Sequence, residues 1–135
     1  MDRNRALPVL GEFQAILIVD DDRHVLKFVA GMFQSLGYSN VFQAASPEEA
    51  LAIWSNELER INLLVSDFVM PLLTGDQMAT RMLEQKPALK ILFISGNDPV
   101  TLDSVIPLQA GQNFLQKPFT LAQVRRSIQN LALSA

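Results

Sequence analysis

The chain has 135 residues, which is enough for one hydrophobic core and too few for two domains of ordinary size. It is 49% hydrophobic and 19% charged with a net charge of −3, as is typical of a soluble globular domain. The acidic balance disfavours nucleic-acid binding, and the absence of cysteine excludes disulfides, thiolate catalysis and cysteine-based zinc sites. Without a long apolar run or a signal peptide, we expect a cytoplasmic protein with no membrane insertion.

Five short apolar segments recur along the chain and are predicted to form strands. They are residues 15–19, 41–45, 61–66, 91–95 and 113–116. The first, third and fourth are almost continuously apolar, which is typical of strands buried on both faces of a parallel sheet.

The segments between the strands have helical periodicity and recognisable starts. In the first, the apolar residues at positions 25, 28, 29, 32 and 36 fall on one face, with Asp22 as the expected N-cap. Residues 46–49, 74–77 and 120–123 have the pattern of helix capping boxes. Strand and helix therefore alternate five times, which predicts a doubly wound α/β domain with right-handed crossovers.

The fourth predicted helix is interrupted by a proline. Asp98 and Pro99 could begin this helix, but Pro107 falls before it should end. Proline has no N–H, clashes with the carbonyl four residues earlier, and pushes the preceding residue away from helical angles. We therefore expect this helix to be short, or broken near Ile106.

The first helix has a wide apolar arc, because Leu26 and Phe33 lie at the edge of the face described above. Two interpretations of these residues stay open. They could add to the core, or they could form an exposed stripe on which a partner's helices dock.

The ends of the predicted strands carry the residues that could do chemistry, and in an open parallel sheet ligands bind beyond these ends. The residues concerned are Asp20, Asp21, Asp22, Asp67, Ser95 and Lys117. Crowded carboxylates repel each other, and a hard cation with oxygen ligands, such as Mg²⁺, would neutralise them. Lys117 and Ser95 could then contact phosphate oxygens, and Asp67 is the best-placed nucleophile for a phosphoryl group.

Four motifs, in this order, resemble the receiver domains of two-component response regulators: ILIVDDD, LLVSDFVMP, ILFISGN and FLQKPF. The resemblance covers residues 14–133. The sequences of the last two motifs are most similar to those of receivers in hybrid sensor kinases. It implies a flavodoxin-like, five-stranded parallel sheet of order 2-1-3-4-5 with five helices. The single receiver domain would occupy residues 14–135, after an N-terminal extension of residues 1–13.

The resemblance implies a metal site and a phosphorylation site. Asp67 would accept the phosphoryl group in a Mg²⁺-dependent reaction. Asp20, Asp21 and Asp67 would bind the Mg²⁺ ion together with the backbone carbonyl of Val69.

The resemblance also implies residues that respond to the phosphoryl group. Ser95 and Lys117 would stabilise that group, and Ser95 and Phe114 would act as the switch. Because residue 114 is Phe rather than Tyr, no phenol hydrogen bond can be part of that switch. Pro118 would follow a cis peptide bond.

The function implied is that of a signalling module. A histidine kinase or a histidine phosphotransfer protein would supply the phosphoryl group, and the aspartyl phosphate would change contacts with an unknown downstream protein. The domain would not be an enzyme in the usual sense, although it would catalyse its own phosphorylation and dephosphorylation.

Two alternatives stay open. A small phosphatase of the haloacid-dehalogenase-like type would use Asp20 and Asp22, with Ser95 and Lys117, although His24 stands where that pattern has Thr or Val. A receiver-fold interaction module that is never phosphorylated would show no affinity for Mg²⁺.

Overall fold

The computed structural model describes residues 13–133, so all but the last residue of the expected N-terminal extension lies outside the described residues. Its elements, in chain order, are β1 (Ala15–Val19), α1 (Arg23–Ser35), β2 (Val41–Ala44), α2 (Pro47–Glu57), β3 (Ile61–Asp67), α3 (Gly75–Gln85), β4 (Lys90–Ser95), a 3₁₀ turn (Pro99–Thr101), β5 (Phe114–Gln116) and α4 (Leu121–Leu133). Within this part of the chain, no helix has the length and apolar character needed to cross a lipid bilayer.

The five strands form one parallel sheet in the order β2-β1-β3-β4-β5. The predicted fold class and strand order are therefore confirmed, and each predicted strand boundary is within one residue of the observed one. Helices α1 and α4 cover one face of the sheet, and α2 and α3 cover the other.

The central strands contribute side chains to two hydrophobic cores, one on each face of the sheet. In β1, Ile16 and Ile18 join the core under α1 and α4, whereas Leu17 and Val19 join the core under α2 and α3. Successive side chains of a strand point to opposite faces, so a strand covered on both sides must be apolar at every position. This burial explains the unbroken apolar runs in the sequence.

The buried face of α1 differs from the predicted one. Leu26, Val29 and Phe33 are buried, whereas the Phe28 side chain is 63% exposed. The small residue Ala30 also lies on the buried face. The large apolar side chains alone predict a buried face of α1 that is centred too close to Phe28, because the small Ala30 does not stand out in the pattern. Leu26 and Phe33 therefore belong to the core.

The described chain has four α-helices, one fewer than predicted. Between β4 and β5 only the 3₁₀ turn forms, with Asp98 accepting a hydrogen bond from the Val100 N–H at 3.0 Å. The expected interruption is confirmed, since Pro107 lies in irregular backbone and no α-helix forms between β4 and this proline. We call residues 96–113 the 96–113 segment.

Polar contacts join α2 to α3 at the amino ends of the strands, opposite the strand ends that carry the acidic residues. The buried Trp54 indole N–H donates to the Gln85 Oε1 at 2.6 Å. Lys86 Nζ donates to the carbonyls of Leu58 and Ile61 at 2.8 and 2.6 Å. Burial lowers the pKa of the Lys86 ammonium, and the nearby Glu59 opposes that shift. The bond to Leu58 satisfies a carbonyl that the end of α2 leaves unpaired.

Candidate functional site

Three carboxylates meet where β1 and β3 end. Asp20 and Asp21 follow β1, Asp67 ends the neighbouring parallel strand β3, and one oxygen from each lies within 4.8 Å of the others. Asp20 and Asp67 are buried and Asp21 is exposed. The parallel pairing therefore brings together three acids that are up to 47 positions apart in the chain (67 − 20).

Lys117 supplies the positive charge of this cluster. Its Nζ lies 3.2 Å from Asp20 Oδ2 and 3.7 Å from Asp67 Oδ1. Its backbone N–H donates to the carbonyl of Ser95 at 2.7 Å, which ties the end of β5 to the end of β4. The peptide bond between Lys117 and Pro118 is cis.

Ser95 and Phe114 lie on the two neighbouring strands. Ser95 is buried at the end of β4, where its Oγ accepts a hydrogen bond from the Asn97 N–H at 3.1 Å. Phe114 is completely buried and pairs in register with Phe93 of β4. In this conformation Phe114 is a core residue, and its role as a switch stays a prediction.

The surroundings of Asp67 change the acidity of its carboxyl group. Burial raises its pKa from 3.8 to about 6, and the negative charges of Asp20 and Asp21 act in the same direction. Lys117 and a hydrogen bond from the Val69 backbone N–H oppose this shift. The carboxylate of Asp67 is therefore more basic than that of an ordinary aspartate.

This pKa predicts a pH-dependent stability in the absence of divalent ions. Between about pH 4 and about pH 7, folded Asp67 keeps a proton that the unfolded chain releases, so stability falls as the pH rises. The free energy of unfolding of the parent chain, relative to Asp67→Asn, should fall by about 2 kcal/mol over this range. Urea unfolding with EDTA, followed by circular dichroism, measures the difference. A difference that does not change with pH would contradict this prediction.

Asp22 lies apart from the cluster because its carboxylate caps α1. Its Oδ1 accepts hydrogen bonds from the N–H groups of His24 and Val25 at 2.9 and 3.3 Å. Its own backbone N–H donates to Asp20 Oδ1 at 2.9 Å. The predicted capping role is confirmed, and this geometry disfavours a phosphatase that would use Asp20 and Asp22 as a pair.

Two features between the end of β3 and the start of α3 are not marked by any sequence pattern. Gly75 packs so closely that a Cβ atom there would lie 2.5 Å from the Asp67 carbonyl oxygen. Leu72 has a φ of 74° and a fully exposed side chain, although leucine rarely adopts left-handed backbone. Leu72 has no distinctive sequence context, and the pattern around Gly75 indicates only a capping box.

An apolar groove runs between α1 and the start of α4. It is lined by Lys27, Phe28, Gly31, Met32, Ser35, Phe119, Thr120 and Leu121, and we call it the α1 groove. Its residues 119–121 follow Lys117 closely in the chain. The exposed apolar surface of α1 is therefore built around Phe28 rather than around Leu26 and Phe33.

Comparisons with known proteins identify the family that this chain resembles. A family model described as the response regulator receiver domain matches residues 16–129. The response regulator receiver protein CpdR of Brucella abortus is 34% identical over 124 residues, with 89% of this chain and 98% of CpdR covered. The sensor kinase CckA of the same organism is 32% identical over 116 residues, with 86% of this chain but only 12% of CckA covered.

A solved structure with a similar fold is the CheX–CheY–BeF₃–Mg²⁺ complex of Borrelia burgdorferi. The matched chain has a TM-score of 0.72 and 23% sequence identity, with 89% of this chain and 90% of that chain covered.

Proposed function

Because this chain belongs to the response regulator receiver domain family, we propose that it accepts a phosphoryl group on Asp67. The donor is the phosphohistidine of a histidine kinase or of a histidine phosphotransfer protein. The observation that carries this proposal is the cluster of Asp67 with Asp20, Asp21 and Lys117. In that cluster a buried, basic carboxylate lies beside a fixed ammonium group.

The reaction is a direct transfer between two side chains. A carboxylate oxygen of Asp67 attacks the phosphorus atom, a P–O bond forms, and the P–N bond of the phosphohistidine breaks. The imidazole nitrogen keeps the electron pair of the broken P–N bond and takes up a proton. The donor histidine is then a neutral imidazole. Lys117 Nζ, 3.7 Å from Asp67 Oδ1, stabilises the negative charge of the transferring group.

The donor set of the cluster fits a magnesium ion. Three carboxylate oxygens lie within 4.8 Å of one another, and oxygen ligands of this kind suit Mg²⁺. Asp20, Asp21 and Asp67 would hold the ion, with the backbone carbonyl of Val69 as a further ligand. When bound, the ion supplies positive charge that balances the phosphoryl oxygens and the crowded carboxylates.

The response to phosphorylation begins at Ser95. Its hydroxyl turns to donate a hydrogen bond to the phosphoryl group, and Phe114 changes its side-chain conformation as the end of β4 moves. The aspartyl phosphate thereby favours a second arrangement of the loops after β3 and β4, which changes the surface presented to downstream partners.

The α1 groove is a suitable surface for the donor's helices. Phe28 and Leu121 expose apolar side chains in it. Exposed apolar patches of this kind usually mark protein contacts. A donor that docks there would lie beside the loop that carries Lys117.

Mass spectrometry after incubation with acetyl phosphate and Mg²⁺ tests this function. We expect the parent chain to gain the mass of one phosphoryl group and Asp67→Asn to gain none. Asp22→Asn is the matched control, because Asp22 only caps α1 and its replacement should leave the adduct intact.

Two other outcomes would contradict the proposal. Hydrolysis of phosphate esters that survives Asp67→Asn but is lost in Asp22→Asn would indicate a phosphatase. A parent chain with neither an adduct nor Mg²⁺ affinity would indicate an interaction module that is never phosphorylated.

A further inference from the structure

The 96–113 segment, which replaces a fourth helix, is tied to the rest of the domain by hydrogen bonds at its start, middle and end. These are the bonds from the Asn97 N–H to Ser95 Oγ at 3.1 Å, from the Val105 N–H to Asp76 Oδ2 at 2.9 Å, and from Asn130 Nδ2 to the Gly111 carbonyl at 3.0 Å. The first tie involves the proposed switch hydroxyl, and the second involves a carboxylate of α3. Besides these bonds, Leu102, Ile106 and Leu108 of the segment pack against the core under α2 and α3.

Asp76 is the unusual member of these contacts. Its side chain belongs to a residue that is only 2% exposed, and burying a carboxylate is costly unless hydrogen bonds satisfy it. Oδ1 accepts a hydrogen bond from the Thr74 hydroxyl at 2.6 Å, and Oδ2 accepts the one from Val105. The Val105 bond therefore satisfies one of the two oxygens of a buried carboxylate.

Asp76 also lies close to the end of β3, where Asp67 stands. The adjacent Gly75 donates its N–H to the Phe68 carbonyl at 2.8 Å and packs against the Asp67 carbonyl. The Phe68 N–H in turn donates to the Ile94 carbonyl at 2.8 Å. The contact between Asp76 and Val105 therefore joins the 96–113 segment to the end of β3, where Asp67 would carry the phosphoryl group.

We propose that Asp76 is a positioning residue that holds the 96–113 segment in the unphosphorylated arrangement, and that the Val105 bond opens when Asp67 is phosphorylated. This inference rests on the proposed function. When Ser95 turns toward a phosphoryl group, its bond with Asn97 changes and the start of the segment moves. Val105 is 71% exposed, so water can replace Asp76 as the partner of its N–H. Asp76 keeps its bond with Thr74 in both arrangements, and water that enters as the segment moves takes the place of Val105 at Oδ2.

Three variants separate this role from a merely structural one. Asp76→Ala removes the acceptor for the Val105 N–H. Asp76→Asn can keep both bonds, because its oxygen can accept from Val105 while its amide donates to the Thr74 hydroxyl. Thr80→Val is the matched control on α3, since it removes only the bond from the Thr80 hydroxyl to the Asp76 backbone carbonyl at 2.8 Å.

The test is a titration of each protein with beryllofluoride in the presence of Mg²⁺, followed by amide NMR. Coupling between two sites is reciprocal, so a variant with the bond already open should bind the phosphoryl analogue more tightly. We expect the affinity of Asp76→Ala to be about two- to tenfold higher, because this factor corresponds to the net contribution of one hydrogen bond. We expect no change for Asp76→Asn or Thr80→Val.

Hydrogen exchange of the Val105 amide gives a second measurement that needs no variant. Saturating the parent chain with beryllofluoride and Mg²⁺ should speed this exchange, while exchange of core amides in β1 stays slow. Unchanged affinity in Asp76→Ala, or an equally protected Val105 amide after saturation, would overturn the inference alone. A parent chain that fails to bind beryllofluoride would overturn the proposed function as well.

Discussion

Replacing Lys117 with methionine is expected to slow the phosphorylation of Asp67 by about a hundredfold or more, as the loss of one fixed charge-stabilising donor does in other active sites. The same change should strengthen Mg²⁺ binding. Lys117 Nζ lies 3.2 Å from Asp20 and 3.7 Å from Asp67, so its positive charge competes with a cation for the same carboxylates. The variant should therefore be phosphorylated more slowly although it binds Mg²⁺ more tightly.

Initial rates with acetyl phosphate, measured by mass spectrometry, and calorimetric Mg²⁺ titrations would check both effects. Lys27→Met is the matched control, because Lys27 is an exposed lysine of α1 and a small-molecule donor needs no docking surface. A Lys117→Met protein that is phosphorylated at nearly the parent rate, or that binds Mg²⁺ more weakly, would contradict the assigned role.

Replacing Gly75 with alanine is expected to lower the free energy of unfolding by about 3 kcal/mol, in the range of overpacking substitutions. The added Cβ would lie 2.5 Å from the Asp67 carbonyl oxygen and 3.1 Å from the Phe68 Cα. Both are backbone atoms, so the contact cannot be relieved by rotating a side chain. The start of α3 must instead move away from the end of β3.

Gly31→Ala is the matched control for this substitution. Gly31 lies inside α1, and a Cβ atom there meets nothing within 4 Å. Because glycine is unfavourable inside a helix, alanine should raise the free energy of unfolding by about 0.5–1 kcal/mol. Urea unfolding followed by circular dichroism measures both variants. If Gly75→Ala proved as stable as Gly31→Ala, the close packing of α3 against β3 would not hold in solution.

The sequence predicts most of this fold because its signals are local or periodic. Continuous apolar runs identify strands covered on both faces, and Ser46 or Thr120 marks the start of a helix through bonds to residues three positions ahead. The buried face of α1 was predicted less well, because Ala30 is too small to stand out in an apolar pattern. Which side of a helix meets the sheet depends on the packing of the whole layer.

The candidate site could be predicted because each of its residues stands at the end of a strand. Together with the strand order that the family resemblance implies, parallel pairing places Asp20, Asp67 and Lys117 near one another. The structure of the 96–113 segment could not be predicted in the same way. Pro107 predicts that a helix is interrupted, but no local pattern shows what replaces it. The bond between Asp76 and Val105 joins residues 29 positions apart, and an aspartate at the start of a helix is common without any such partner.

The position of Trp54 decides which optical signals this protein can give. It is the only tryptophan of the chain and it is buried. Its indole N–H donates a hydrogen bond to Gln85 near the amino ends of the strands. Its fluorescence should therefore report global unfolding, because the indole leaves an apolar site for water. Phosphorylation or metal binding at Asp67 would occur at the carboxyl ends of the strands, far from Trp54, and should leave its emission nearly unchanged. A tryptophan introduced near Asp67, for example at the exposed Val69, would provide the missing reporter.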